Sequence, residues 1–170
     1  GMLRHHYPRL LDGEWGQRAE ALAGRVYELT SFLSDIAGYQ PPQANAGPVA
    51  YHDACHLAHA QRVTQEPRRL LRSIPGLELL ELPEGDMCCG SAGTYNMEQP
   101  ELARQLGERK IANALSVKPD VIASGNIGCL VQIQNHSALH GSPIPVLHTI
   151  VVMDRAYRGA SIMTGQNGAG

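Results

Sequence analysis

Cysteine is the residue type whose placement could do chemistry here. Four stand in 170 residues: Cys55, the adjacent pair Cys88 and Cys89, and Cys129. The pair opens the run Cys88-Cys89-Gly90-Ser91-Ala92-Gly93; residues 56–87 separate it from Cys55 and residues 90–128 from Cys129. Adjacent cysteines form a disulfide with each other only through a strained ring, so their ordinary use is as two thiolates aimed at one spot. Four thiolates from three stretches of chain are what a soft metal ion or an iron–sulfur cluster requires. A single free cysteine is commonly an inert packing residue. These four lie beside Gly90, Gly93, Gly125 and Gly128, where backbone can approach a bulky inorganic group and offer its N–H to sulfur. The pattern therefore points to a metal centre.

Histidines accompany the cysteines. His52, His56 and His59 surround Cys55, and His148 lies in a later apolar stretch. Mixed His/Cys sets are typical of zinc. His52 and His148 are candidate ligands or donors to sulfur, whereas His56 and His59 are expected to face solvent or cap a helix. Other chemistries fit less well. The glycine-rich run after Cys89 has neither the Gly-x-Gly-x-x-Gly nor the Walker pattern of a phosphate cradle. A Cys–His hydrolase built on Cys55 would leave the adjacent pair without a purpose.

Composition narrows the class. A formal net charge of −2 gives no basic surface for nucleic acid. Residues 121–153 contain no Asp, Glu, Lys or Arg, but polar residues and two prolines interrupt the stretch. A bilayer helix needs about 20 mostly apolar residues, so a buried sheet-and-helix region is expected there and no membrane span. No secretory signal is evident. Reduced thiols in the cytoplasm are expected rather than a disulfide frame, with peripheral attachment at the inner face of the membrane as the alternative location. Gly1 ahead of Met2 reads as a cleavage scar.

These residues need elements to position them. Trp15, Ala19, Leu22, Val26, Leu29, Leu33 and Ile36 recur at heptad spacing, predicting one long helix over 14–37 that packs on a domain or pairs as a coiled coil. The proline-rich stretch 38–48 reads as a linker. Strands are expected at Pro48–His52, Leu77–Leu82, Asp120–Ser124 and Ile144–His148. Helices are expected over Thr64–Ile74, from Pro100 to about Val117, and over Thr149–Tyr157, before a flexible glycine-rich tail. The division is 1–46 for the helix and linker, 47–158 for a cysteine-rich α/β domain, and 159–170 for the tail. Alternation of strands and helices implies a Rossmann-like, mainly parallel, four-stranded sheet flanked by helices. Loops after parallel strands gather at one sheet edge. Cys55 follows the first strand, Cys88 and Cys89 the second, and Cys129 the third, so all four are expected to meet.

The segments His52-Asp53-x-Cys55-His56-Leu57, Cys88-Cys89-Gly90-Ser91-Ala92-Gly93-Thr94-Tyr95 and Gly128-Cys129-Leu130-x-Gln132 together resemble the cysteine-rich CCG domain. That domain occurs in heterodisulfide reductase and in iron–sulfur subunits of glycolate and lactate oxidising complexes. The resemblance is closest to the carboxy-terminal domain of the glycolate oxidase iron–sulfur subunit, and it covers about residues 47–158. It implies a four-iron four-sulfur cluster on Cys55, Cys88, Cys89 and Cys129, with zinc possible in its place. It also implies electron transfer from a flavoprotein subunit, and an oxidoreductase that is not catalytic as this chain alone. Two features depart from the pattern. Gln132 stands where the heterodisulfide reductase branch has a further cysteine, and the ferredoxin-like cysteine runs of the glycolate oxidase protein are absent. The chain is therefore expected to be a fragment whose ferredoxin-like part is missing. Two other readings remain: a zinc-stabilised interaction module on the same cysteines, and a thiol-redox enzyme using Cys88 and Cys89.

Overall fold

The computed structural model describes residues 1–41, 47–141 and 143–163. Parts of the expected linker (42–46) and tail (164–170) lie outside the described residues. Four short strands form one sheet: β1 (Pro48–His52), β2 (Glu78–Glu81), β3 (Val121–Ser124) and β4 (Val146–His148). Their order is β2-β1-β3-β4 and every pairing is parallel, as the alternation of elements requires. Each strand is a residue or two shorter than the apolar run that signals it, except β1, which matches.

Strand periodicity sorts the core onto two faces. Val49, Tyr51, Val121 and Ala123 point to one face, where they pack with Leu70, Leu71 and Ile74 from around α4 (Gln65–Arg72) and with Val152, Met153 and Ala156 of α8 (Thr149–Tyr157). Ala50 and Ile122 point to the other. There they meet Ile111 and Ala114 of α6 (Pro100–Ser116), which follows the single turn α5 (Tyr95–Glu98). Ile133 of α7 (Ile127–Leu139) joins them, and Cys89 and Cys129 belong to this cluster. The chain remains packed beyond the expected domain end at 158, since Ile162 is fully buried on the first face.

Two helical stretches differ from expectation. The heptad-spaced region is not one rod. After two turns at residues 2–10, the second of them α1 (Tyr7–Leu10), α2 runs over Gly13–Ala23 and ends at Gly24. A new start follows at α3 (Leu29–Ser31), which continues through a wider turn, Phe32–Ile36. Glu28 creates that start: its carboxylate accepts from the Ser31 N–H at 3.0 Å and from the Thr30 hydroxyl. Satisfying free N–H groups in this way is what an N-cap does. The break divides the apolar seam, so that Leu33 packs against the core while Trp15, Leu22, Leu29 and Ile36 remain exposed. Second, α7 occupies the charge-free stretch after β3, where the sequence predicts buried helix only in general terms. It begins at Asn126, whose side chain accepts from the Cys129 N–H at 3.2 Å. Cys129 therefore sits in the first turn of a helix, not on a loop.

Among the described residues, no helix is long and apolar enough to cross a membrane.

Candidate metal centre

The strand order places the site. β1 connects through α4 to β2 on one side, and β3 lies on β1's other side. The crevice between the carboxyl ends of β1 and β3 is thus a topological switch point, where open α/β sheets take their ligands. A cavity of about 240 Å³ opens there, lined by Cys55, His56, Cys89, Ser91, Asn126 and Cys129 among others. Cys55 comes from the turn after β1, Cys89 from the segment between β2 and α6, and Cys129 from the start of α7. Cys88 does not line the cavity, but its thiol contacts that of Cys55. All four cysteines are free thiols, and three of the four line the cavity.

The site has an inner and an outer half. Cys89 and Cys129 are buried, whereas Cys55 and Cys88 are half-exposed. His52, at the end of β1, has no exposed surface, and its ring and the sulfurs of Cys89 and Cys129 offer ligand atoms within 4.8 Å of one another. Of the other histidines singled out, His56 and His59 are exposed, and His56 reaches the cavity rim. His148 Nδ1 instead accepts from the Ile150 N–H at 3.2 Å, capping α8.

Electrostatics show what the four thiols lack. The S–H of Cys129 donates to Cys89. Together with His52 and the Ser91 N–H, that bond holds Cys89 below the ordinary thiol range against the opposing effect of burial. The same bond, with burial and the neighbouring sulfurs, pushes Cys129 well above that range. Burial raises Cys88 too, although the Gly90 N–H donates to its sulfur at 3.3 Å. Sulfurs as close as those of Cys89 and Cys129 do not both ionise unless positive charge enters beside them. A metal ion or cluster supplies that charge. The donor set therefore fits a thiolate-bound metal group.

Backbone shape fits as well. Gly90 turns at φ +89°, and a Cβ there would lie 2.5 Å from the Ala103 carbonyl oxygen, so only glycine lets the Cys88–Cys89 segment lie against α6. A Cβ at Gly128 would meet Ser91 Oγ at 2.8 Å, which closes the cavity wall tightly.

Three residues that the spacing of cysteines does not disclose hold the thiols in place. Asp53, two positions before Cys55, is buried and receives both terminal nitrogens of Arg68 of α4, at 2.8 and 2.6 Å. The Arg68 Nε donates in turn to Glu81 at the end of β2, and its guanidinium lies over the Tyr51 ring, 4.9 Å from the centroid. This ties the β1 turn to α4 and β2. Lys110 of α6 is fully buried, and its ammonium donates to the carbonyls of Glu84 and Gly85 at 2.6 and 3.3 Å. It thereby fastens the segment that leads into Cys88 and Cys89. Its sequence signal is position: Lys110 lies on the stripe of α6 that buries Ala103, Gly107 and Ala114, where a cation needs a reason.

Comparison with known proteins agrees with the geometry. Residues 49–134 match the cysteine-rich domain family CCG. The curated relatives include lactate utilization protein A of Oceanobacillus iheyensis, 32% identical over 162 residues (94% of this chain and 66% of that protein). The protein of the same name from Geobacillus sp. strain WCH70 is 34% identical over 151 residues, covering 87% of this chain and 63% of that one. The uncharacterized protein YkgE of Escherichia coli is 33% identical over 150 residues, covering 86% and 63%. The chain thus spans slightly less than two thirds of the length of these relatives. The match runs from β1 into α7 and takes in all four cysteines, over just more than half of the chain, and on that ground the chain belongs to the CCG cysteine-rich domain family.

Proposed function

We propose that this chain is an electron-transfer domain of a system that oxidises a 2-hydroxy acid. Cys55, Cys88, Cys89 and Cys129 would hold a four-iron four-sulfur cluster. The observation that carries the reading is the gathering of four free thiols, two of them buried, around the switch point of a parallel sheet. When bound, such a cluster supplies one-electron chemistry. The chain's own contribution is to hold the sulfurs, to donate the Gly90 N–H to Cys88, and to keep the inner half out of water. The relatives named for lactate utilization favour lactate over glycolate as the acid oxidised by the whole system.

Abstraction of hydride or proton from the acid belongs, in this reading, to a partner flavoprotein, and this domain relays electrons after it. The exposed Trp15, Leu22, Leu29 and Ile36 offer apolar surface to the rest of such a complex. The test is an assay of the isolated chain, loaded with its cluster, using lactate or glycolate and an artificial acceptor. No turnover is expected until the flavoprotein is added. Turnover by the chain alone would place the active site on this domain and overturn the relay assignment.

A second reading has one specific observation in its favour. His52, Cys89 and Cys129 lie close enough together to hold a single ion, and zinc bound there would make the domain a structural module. Visible absorption separates the two readings, because zinc gives none.

A further inference from the structure

Lys110 carries a positive charge where packing alone does not call for one. Its side chain is fully buried on the stripe of α6 that also buries Ala103, Gly107, Ile111 and Ala114. The ammonium has three protons to donate, and the carbonyls of Glu84 and Gly85 accept from it. A neutral amide could serve such acceptors without taking a charge out of water, which is costly unless an opposite charge meets it. Among the described residues, Lys110 forms no ion pair with a carboxylate. The carboxylates in its neighbourhood are otherwise placed: Glu84 is bound by Arg109 and Asn113, Asp53 by Arg68, and Asp86 is exposed. What α6 brings this charge towards is the sulfur site. Ile111, the next residue, packs in the same buried cluster as Cys89 and Cys129. The Gly90 turn lies against Ala103, two turns back along the same helix. Burial lowers the pKa of the ammonium, and among the charges that oppose this the Cys89 thiolate comes first, ahead of Asp86, Glu84 and Asp53.

We propose that Lys110 is the counter-charge of the metal centre, a fixed buried cation that stabilises the loaded site and favours its reduced state. The thiolates of Cys55, Cys88, Cys89 and Cys129 outweigh the positive charge of an iron–sulfur core, so the loaded site is anionic, and net charge is one of the quantities that set a cluster's potential. An electron arriving from the partner flavoprotein makes the site more negative, with no bond made or broken. The ammonium attracts the more negative state more strongly, and in a buried region neither water nor salt screens that attraction well. Lys110 is thus a positioning residue for charge: it acts through its field, not as a ligand.

This inference rests on the cluster assignment, and its test keeps the two apart. Chain loaded with iron and sulfide is titrated without oxygen to its midpoint potential, as wild type, Lys110→Met and Lys110→Gln, the last keeping a donor for the carbonyls. Arg109→Met is the control: it removes a cation from the adjacent position of α6, but an exposed one paired with Glu84. The equilibrium constant for one-electron reduction is expected to fall about tenfold in both Lys110 variants, a shift of about 59 mV to more negative potential. The shift should persist in about 1 M salt, where exposed charges are screened, and the control should keep the wild-type potential. A role in packing alone gives the opposite sign, because a loosened segment admits water, which favours the more highly charged reduced state. An unchanged or more positive potential in the Lys110 variants, or an equal negative shift in Arg109→Met, would overturn the proposal. Chain that takes up no iron or sulfide would contradict the cluster assignment instead. The counter-charge is then read from zinc affinity, since zinc on the same four thiolates is also anionic. A zinc Kd about tenfold higher in Lys110→Met than in the wild type is expected on the same electrostatic ground, and an equal Kd would overturn the proposal.

Discussion

Cys89→Ser and Cys129→Ser are each expected to abolish cluster binding while leaving the chain folded. Both sulfurs are buried against Ile111, Ile122 and Ile133, so no solvent molecule or added thiol can easily replace the missing ligand. Serine differs from cysteine by one atom, and the sheet core does not depend on metal. The corresponding changes at Cys55 and Cys88 are expected to be milder, with partial occupancy that added low-molecular-weight thiol increases, because these positions are half-exposed. Iron and acid-labile sulfide per chain, with circular dichroism for the fold, check the whole series. Equal loss at all four positions would remove the distinction between inner and outer halves. Full occupancy in Cys89→Ser would remove that residue from the ligand set.

The second large effect is expected far from any sulfur. Arg68→Met should lower the unfolding free energy by about 3–5 kcal/mol, since breaking a buried ion pair leaves the other charge uncompensated. Asp53 would be that charge: its side chain and that of Arg68 are 8% and 11% exposed. Replacing both partners, as Arg68→Met with Asp53→Leu, should recover most of the loss. The cluster should nevertheless remain weaker in the double variant, because the β1 turn carrying Cys55 would no longer be tied to α4 and β2. Urea unfolding measures the first effect and iron occupancy the second. A loss below about 1 kcal/mol in Arg68→Met, the range of an exposed pair, would show that the pair does not hold the turn.

The parts of this molecule legible in the sequence are those governed by short-range pattern. Apolar runs bounded by Pro, Gly and Asp locate four strands, and their alternation with helices yields a parallel sheet with the cysteines at one edge. The helix carrying Cys129 is harder to place. Asn126, Gln132, Gln134, Asn135 and His136 break the amphipathic pattern, and all of them except Asn135 are buried or half-buried because α7 packs against both the sheet and α6. The usable signal is local: Gly125 followed by Asn126, three residues before the N–H that Asn126 caps. In the heptad stretch the periodicity misleads in the opposite way. Spacing alone does not register a break when the apolar period continues across it, and Gly24 with the Glu28 cap is what divides α2 from α3. The exposed seam left behind accordingly reads as surface for another body rather than as a rod.

Within the site, residue type discloses the sulfurs but not their support. Cys55, Cys88, Cys89 and Cys129 stand out because four cysteines with an adjacent pair are hard to explain as packing. Asp53, Arg68 and Lys110 do not stand out, because an ion pair spanning fifteen residues and a lysine reaching two carbonyls exist only once the chain has folded. Likewise His52 and His148 are alike in sequence, each ending an apolar strand. The structure separates them: His148 caps α8, and His52 lies fully buried beside the sulfurs of Cys89 and Cys129.

The central claim is that the four cysteines hold iron and sulfide, and it is tested most directly by metal and sulfide analysis with a visible spectrum, on chain loaded and kept without oxygen. About four irons and four sulfides per chain are expected, as a single four-iron four-sulfur cluster contains, with broad visible absorption that bleaches on reduction. Chain that retains zinc, or no metal, and stays colourless under those conditions would contradict it.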